Sequence, residues 1–436
     1  MAAGQGTRMR SSSPKHLHPL LGRPLVAWAV EAARSLAPSP LVVVTSPESR
    51  EALAETLGGG VTLAVQPDPR GTGDAVATAR DALDGFDGDI LVLSGDAPLL
   101  TPDELRGLLD THRGEGAAVT LLTFEPLRPL PYGRVLRDED GHVRRIVEEG
   151  DASEDERAIR ELNSSTYVFG AGALWEALDR VEPDNSQGEL YLTDAVSHLV
   201  EAGQPAAAYR AQDPTVGEGV NTRVDLALAA RVLRSRIVRE HMLAGVTIVD
   251  PETTWVEASV EIEQDVVVHP FTVLQGRTVL RAGAEVGPHA VVEAAEVGRG
   301  ARVGPFCYLR PGTVLADDAR AGTFVEIKNA TVGAAAKVPH LSYVGDADIG
   351  AGTNIAAGNI MANYPHESGK SKQRTKIGRN VRTGVHNSFV APVEVGDDAW
   401  IGAGSAITED VPPRALAIAR ARQVNKENYR DRNRDD

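Results

Sequence analysis

The sequence predicts an α/β protein in two unlike parts: an N-terminal Rossmann-like domain, and a C-terminal parallel β-helix joined to it by one helix. Three observations predict it. Short β-branched apolar runs alternate with helical patterns up to residue 223. Residues 224–244 contain neither Gly nor Pro. From about residue 245 an aliphatic side chain returns every six positions. The length of 436 residues suits two or three domains.

In the first part, Leu41-Val42-Val43-Val44 and Ile90-Leu91-Val92-Leu93 have the length and branching of buried strands. Helical patterns lie between them, at Val26 to Ser35 and Gly73 to Leu83. Such alternation predicts a mostly parallel sheet covered on both faces over residues 1–223. Residues 224–244 carry an apolar stripe and read as a linker helix. The third part, 245–436, holds the repeat. Ile262, Val268, Leu274, Leu280, Val286 and Val292 are in phase, as are Val297, Val303, Leu309, Leu315, Ala321 and Ile327 after a slip of one. Val332, Val338, Val344, Ile349 and Ile355 follow, then Ile377, Val395, Ile401 and Ile407. A six-residue period fits neither a helix nor strand alternation. It is the hexapeptide signature of a β-helix whose aliphatic residues point into a triangular prism. Residues 423–436 lack apolar content and read as a frayed tail.

Composition narrows the function. Hydrophobic residues are 42% of the chain, enough for large cores, but aromatic residues only 4%, while Gly (43) and Pro (26) are abundant. That balance suits turn-rich architecture built from small residues. With 61 acidic against 45 basic residues the net charge is −16, the wrong sign for a general nucleic-acid or anionic-membrane binder. Cys307 is the sole cysteine, so neither an intrachain disulfide nor a Cys-based zinc site is expected. No apolar run approaches a membrane span, the N-terminus lacks a signal-peptide pattern, and the cytoplasm is the expected compartment.

The first candidate site opens the chain. Ala2-Ala3-Gly4-Gln5-Gly6-Thr7-Arg8-Met9 is small enough for backbone N–H groups to approach a phosphate. It is neither a Rossmann G-x-G-x-x-G nor a Walker A loop. Lys15 follows in Pro14-Lys15. Gln66 ends a strand at Val61 to Val65, Gly71-Thr72-Gly73-Asp74-Ala75 starts a helix, and Ser94-Gly95-Asp96 lies just past a buried strand. Ligands of open α/β sheets bind at that edge.

Together with YGRV, IVEE, QGELYLTD and EGVN, these motifs resemble the sugar-nucleotide pyrophosphorylases. More closely, the chain resembles the bacterial bifunctional N-acetylglucosamine-1-phosphate uridylyltransferase and glucosamine-1-phosphate N-acetyltransferase family. The resemblance covers almost the whole chain. It implies a nucleotidyltransferase domain at 1–223 and a left-handed β-helix carrying acetyl transfer at 245–436. It implies that Ala2, Ala3, Gly4, Lys15, Gln66, Gly71, Thr72, Ser94, Gly95 and Asp96 bind UTP. Gly133, Glu148, Asn163 and Asn221 would hold the sugar, and Asp96 and Asn221 would hold Mg²⁺. Taken by themselves, Glu148 also reads as a solvated acid and Asn163 as a turn residue.

The second candidate site lies where the repeat breaks, between Ile355 and Ile377. The resemblance implies His340 as general base, taking a proton from the sugar amine as it attacks the acetyl-CoA thioester; an imidazole titrates in the right range for that task. Arg310, Lys328, Tyr343 and Asn354 would bind the sugar phosphate. Ala357, Asn363, Tyr364, Val385, Ala403 and Arg420 would contact acetyl-CoA, in a homotrimer. Two departures stand out. Val385 replaces a Ser usual after Gly384, and the loop Pro365 to Arg374 is longer than usual; its Lys370, Lys372 and Arg374 read as solvated.

Three functions remain open to the sequence: the bifunctional enzyme giving UDP-N-acetylglucosamine, a single-activity nucleotidyltransferase with an oligomerising β-helix, and a non-catalytic scaffold. His340 with Lys328 and Asn363-Tyr364 favours the first over the second. Lys15, Asp96 and Asn221 together speak against the third. One further expectation concerns the start. A phosphate loop is normally fixed by a buried strand before it, and the family has one where this sequence has Met1, so the first, central strand is expected to be missing.

Overall fold

The computed structural model describes residues 1–4, 6–365, 369 and 371–430. Gln5 of the first loop, Lys370, and the end of the polar tail lie outside the described residues. The chain forms two compact units, Met1–Leu233 and Arg234–Asp436. The division falls inside the helix Arg223–Leu243, which occupies the stretch read as a linker.

In the N-terminal unit α1 (Leu25–Arg34) starts after Pro24 and buries Leu25, Val26, Ala29 and Val30. Strands β1 (Val42–Thr45) and β2 (Thr62–Val65) pair in parallel. Helix α2 (Thr72–Ala77) follows Gly71, and β3 (Asp89–Val92) leads to the Ser94–Asp96 turn. Helix α3 (Pro102–Glu115) has Pro at its start, an N-cap in Thr101, whose Oγ1 accepts from Glu104 N at 3.3 Å, and Gly116 at φ 59 closing it. The remaining strands are β4 (Val119–Phe124), β5 (Arg134–Arg137), β6 (Val143–Val147), β7 (Leu162–Gly170) and β8 (Ala206–Arg210). Their order is β8-β4-β7-β5-β6, with β3 also on β7.

The expectation of a mostly parallel sheet needs correction here. β8 is parallel to β4, but β7 runs antiparallel to β3, β4 and β5. Every residue of β4 is buried. A strand covered on both faces has the same apolar run whichever way its neighbours point, so the sequence pattern does not carry direction.

The sheet is also in two pieces. Among the strands of the described residues β1 pairs with β2 and β3 with β7, and Ala2 adds a single bridge to Thr45. Met1 and Ala2 sit between them at one end. Ala2 N donates to Val44 O at 2.7 Å, the Met1 amine to Leu93 O at 2.8 Å, and Gly95 N to Met1 O at 2.8 Å. Behind these bonds lies an apolar slot of about 330 Å³ lined by Val26, Val30, Val43, Leu83, Phe86 and Leu91. Burial lowers the Met1 amine to about 6, against the pull of Asp96.

In the C-terminal unit each strand from Thr247–Ile248 to Thr331–Val332 pairs in parallel with the third strand after it, building three faces. Leu309 lies beside Ile327, and Ile327 beside Val344. The six-residue periodicity corresponds to one buried aliphatic column per face. All the in-phase residues belong to a single core cluster, except that Ile262 is only partly buried against it. One corner carries Phe271, His289, Phe306, Phe324 and Leu341, each with φ between 48 and 58. The four rings stack on successive coils at 4.7, 4.8 and 5.3 Å. Residues 421–430 are exposed and follow the last strand, Leu416–Ala417.

Candidate functional sites

The strand ends of the N-terminal unit bring most of the first set together. Ala2, Ala3, Lys15 and Gln66 are buried, and Gly4 is exposed. Lys15 Nζ donates to Asp96 Oδ2 and, at 2.8 Å, to Asn221 Oδ1; Arg8 donates to the same Asn221 oxygen at 2.9 Å. Ser94 Oγ donates to Asp96 Oδ1 at 2.7 Å. Burial pushes the Asp96 carboxyl up, but the Lys15 and His16 charges and the Lys15 and Ser94 hydrogen bonds hold it below its usual value. Val220 N donates to Asp96 O at 2.8 Å, which ties the EGVN loop to this strand end. Two oxygens, Asp96 Oδ2 and Asn221 Oδ1, thus converge on one cation, the donor set a small hard divalent ion accepts.

The 71–75 turn is shaped by its neighbours. Gly71 has φ 120, and a Cβ there would overlap Leu190 O. Gly73 N donates to Leu190 O at 2.8 Å, and Leu192 N donates to Thr72 Oγ1 at 3.0 Å. Gln66 Nε2 donates to Asp74 Oδ2 at 2.7 Å. Tyr132, of the YGRV motif, accepts from Gly219 N at 2.7 Å, and burial pushes its hydroxyl up to about 12.

The sugar-side set forms a second group. Glu148 is not a solvated acid. Burial raises its carboxyl, and Thr193 Oγ1 donates to it at 3.2 Å. A Cβ on Gly133 would lie 3.3 Å from Glu148 Oε2. Asn163 N donates to Gly133 O at 2.8 Å, and its buried amide donates to Tyr167 OH at 2.6 Å. Asn163 is therefore a strand residue of β7, not a turn residue.

On the β-helix, register does the assembling. Arg310 N donates to Ile327 O at 2.8 Å, which stacks Arg310 one coil from Lys328. Lys328 lies beside Gly345, with Tyr343 at the start of that strand. His340 ends the neighbouring face beside Thr323, one corner away from Tyr343, and its side chain is exposed. Asn354 continues the same face as His340, bridging Lys337 and Arg382. Asn363 is buried and donates to Asp346, with Tyr343 OH at 3.5 Å. The other acetyl-CoA set climbs one corner. His386 N donates to Ala357 O at 2.9 Å, Gly404 N to Val385 O at 2.9 Å, and a Cβ on Gly404 would lie 3.7 Å from Arg420 Cδ. A Cβ on Gly384 would overlap Ala403 N. Behind this corner Asn387 donates to Asn359 Oδ1 at 3.0 Å and accepts from Ser405 N at 2.9 Å. Val385 is 44% exposed on the same corner, so the corner is kept without the hydroxyl.

Of the long loop's cations, Lys372 is exposed, as read, but the reading of Arg374 as solvated is corrected. Arg374 donates to Asp348 at 2.7 and 2.5 Å and to Ala347 O at 3.1 Å. Lys372 faces Lys328 and, with Arg310, lowers the Lys328 ammonium below its ordinary value. Its Nζ lies 6.0 Å above the Tyr364 ring. Three cations on one side suit a phosphate, and composition alone does not show that a loop lysine folds back. Other missed residues are Arg8, Tyr132, Asp346 and Glu326. Glu326 accepts from Arg310 at 2.7 Å. The first two sit inside quoted motifs, where Arg8 and Tyr132 were legible as polar groups beside the candidates. Asp138, Asp140 and His142 form an exposed cluster on the β5–β6 turn, between Gly133 and Glu148 in sequence.

Comparisons with known proteins agree with both halves. Residues 1–191 match the model of the MobA-like NTP transferase domain. The "Bifunctional protein GlmU" of Streptomyces avermitilis is 48% identical over 454 residues, covering 100% of this chain and 94% of that protein. Those of Mycobacterium tuberculosis (46%, 100% and 92%) and Corynebacterium aurimucosum (45%, 98% and 92%) are similar over the same extent.

Proposed function

We propose, from the premise that this chain belongs to the family of bifunctional GlmU proteins, that the residues gathered above are its two catalytic sites. The chain is a transferase with nucleotidyltransferase and N-acetyltransferase activity. It acetylates glucosamine 1-phosphate with acetyl-CoA and then transfers UMP from UTP to the product, giving UDP-N-acetylglucosamine and pyrophosphate.

In the N-terminal site the attacking sugar phosphate is already an anion, so positioning and charge neutralisation carry the rate. Ala2 to Gly4, Gln66, Gly71, Thr72 and Ser94 to Asp96 line the nucleotide, and Lys15 meets its phosphates. Gly133, Glu148, Asn163 and Asn221 position the sugar. Asp96 and Asn221 would hold Mg²⁺, which when bound neutralises phosphate charge. In the C-terminal site Arg310, Lys328, Lys372 and Tyr343 hold the phosphate of glucosamine 1-phosphate, with Asn354 beside them. His340 takes the amine proton as the nitrogen attacks the thioester carbonyl, and coenzyme A leaves as the thiolate. The column Ala357, Val385, Ala403, Arg420, with Asn363 and Tyr364, receives acetyl-CoA.

A homotrimer is supported by the stacked corner: Phe271, Phe306, Phe324 and Leu341 are each about half exposed, and Leu341 directly follows His340. A cytoplasmic location is in keeping with the substrates, and among the described residues no helix is long and apolar enough to cross a membrane.

The observation that carries the reading is the convergence of Lys15, Asp96 and Asn221 in one unit and of Arg310, Lys328 and Lys372 in the other, one face from His340. The test is a crossed pair. His340→Ala is expected to lower acetyl transfer by about 10³-fold and leave uridylyl transfer unchanged. Asp96→Ala is expected to do the reverse. Loss of both activities in either folded variant would refute two independent sites.

A further inference from the structure

Lys15 occupies the point that a divalent ion would need. Its Nζ donates at once to Asp96 Oδ2 and Asn221 Oδ1, and its side chain is only 8% exposed. Packing aims it there. Gly6 stands so close to Lys15 that a Cβ on Gly6 would overlap Lys15 Cβ. A buried carboxylate without a counterion is costly, and Lys15 supplies one. The same geometry makes ammonium and metal competitors. Both use the same oxygen lone pairs, and two cations a few ångströms apart repel strongly in a partly buried site.

We propose that Lys15 is the resident counterion of the Asp96–Asn221 pair, and that a divalent cation enters only when the phosphates of a nucleotide draw Lys15 away. Lys15 is thus a positioning residue that couples metal binding to nucleotide binding. This rests on the reading of Asp96 and Asn221 as metal ligands. A second cation, Arg8, reaches Asn221 Oδ1 at 2.9 Å from the exposed side and provides the control, since it carries the same charge.

The experiment measures Mn²⁺ binding to the full chain without nucleotide, following free Mn²⁺ by electron paramagnetic resonance. Wild type is expected to bind weakly. Lys15→Met is expected to bind at least about tenfold tighter, and Lys15→Gln, which keeps a neutral donor for Asp96, to behave likewise if the Met variant is unstable. Arg8→Met is expected to change affinity less than about threefold, and Lys15→Met with Asp96→Asn to lose the gain. Equal tightening by Arg8→Met and Lys15→Met would show only through-space charge and overturn the proposal. No tightening in folded Lys15 variants would overturn it too. If Asp96→Asn leaves Mn²⁺ binding unaltered in every background, with UTP present or absent, the assignment of the metal ligands itself fails.

Discussion

In the C-terminal unit one apolar cluster runs from Val238 to Val411, whereas in the N-terminal unit the buried apolar side chains fall into separate groups around β1, β3, β4 and the helices. The β-helix repeats one solution: each aliphatic residue rests on its equivalents in the coils before and after. Stability there is a sum of similar nearest-neighbour contacts, and a local change has a local cost. The N-terminal unit has no such redundancy. Its loops are placed by single contacts, such as Gly71 against Leu190 and Ala2 against Val44, and its sheet is interrupted by an apolar slot. The lesson is that the regular unit carries its site on a frame repeated from coil to coil, while the irregular unit builds its site out of contacts that occur once.

The sharpest way to break this comparison is a glycine in each unit. Gly71→Ala forces a Cβ onto Leu190 O at φ 120. It is expected to destabilise the N-terminal unit by about 3 kcal/mol and to abolish uridylyl transfer. Gly312→Ala, at φ 78, brings its Cβ only to 3.2 Å from the side-chain oxygen of Asn329, and is expected to cost about 1 kcal/mol. Calorimetry of both variants checks this; equal losses would mean that the two units are equally intolerant.

The slot gives the next effect. Met1 and Ala2 already make strand-like bonds to both lips, and behind them β1 and β3 do not pair with each other. Appending about five apolar residues before Met1 is expected to extend this pairing, fill the slot and convert the buried amine into a peptide N–H. Burial of several apolar side chains at roughly 1 kcal/mol each would raise the Tm of the N-terminal unit by about 5–10 °C and leave that of the C-terminal unit alone. Hydrogen exchange should slow at Val42–Thr45 and Asp89–Val92. An unaltered melting profile and exchange pattern would show that the slot does not take a strand.

The smallest effect is on pH dependence. Among the described residues the buried histidines His16, His18 and His112 lie in the N-terminal unit. His112 Nδ1 is 2.9 Å from Thr120 Oγ1, and burial lowers its pKa against the opposing pull of Asp89. The unfolded chain therefore binds a proton near the ordinary histidine value while the folded one does not. Stability is fully present above about pH 6.5 and declines as the pH falls below it. The N-terminal transition should move down between pH 7 and 5.5 while the C-terminal one moves less, and His112→Gln should reduce the movement. A shift of the same size in His112→Gln would exclude this histidine as its source.

Much of this was legible in the residues. Buried positions of the β-helix could be numbered one by one, because a six-residue period leaves an aliphatic residue no other regular place to go. A helix began at Gly71-Thr72, as the small residues there suggested. The direction of β7 was not legible, since full burial erases the alternation that distinguishes strand environments. Nor was the fate of Arg374, since a charged loop residue reads the same whether it meets solvent or pairs with Asp348.

By itself the sequence determined where the two architectures change over, which side chains fill the prism, and which loops carry small residues for close approach to phosphate. These follow from local rules of period, branching and backbone freedom that act over a few residues. Only the tertiary structure decided that Lys15, Asp96 and Asn221 share one point across 206 residues of chain, that Glu148 is half-buried beside Thr193, and that Ala357, Val385 and Arg420 climb a single corner. Such meetings are set by register and sheet order. These arise from packing of the whole unit, and no short stretch of sequence contains them.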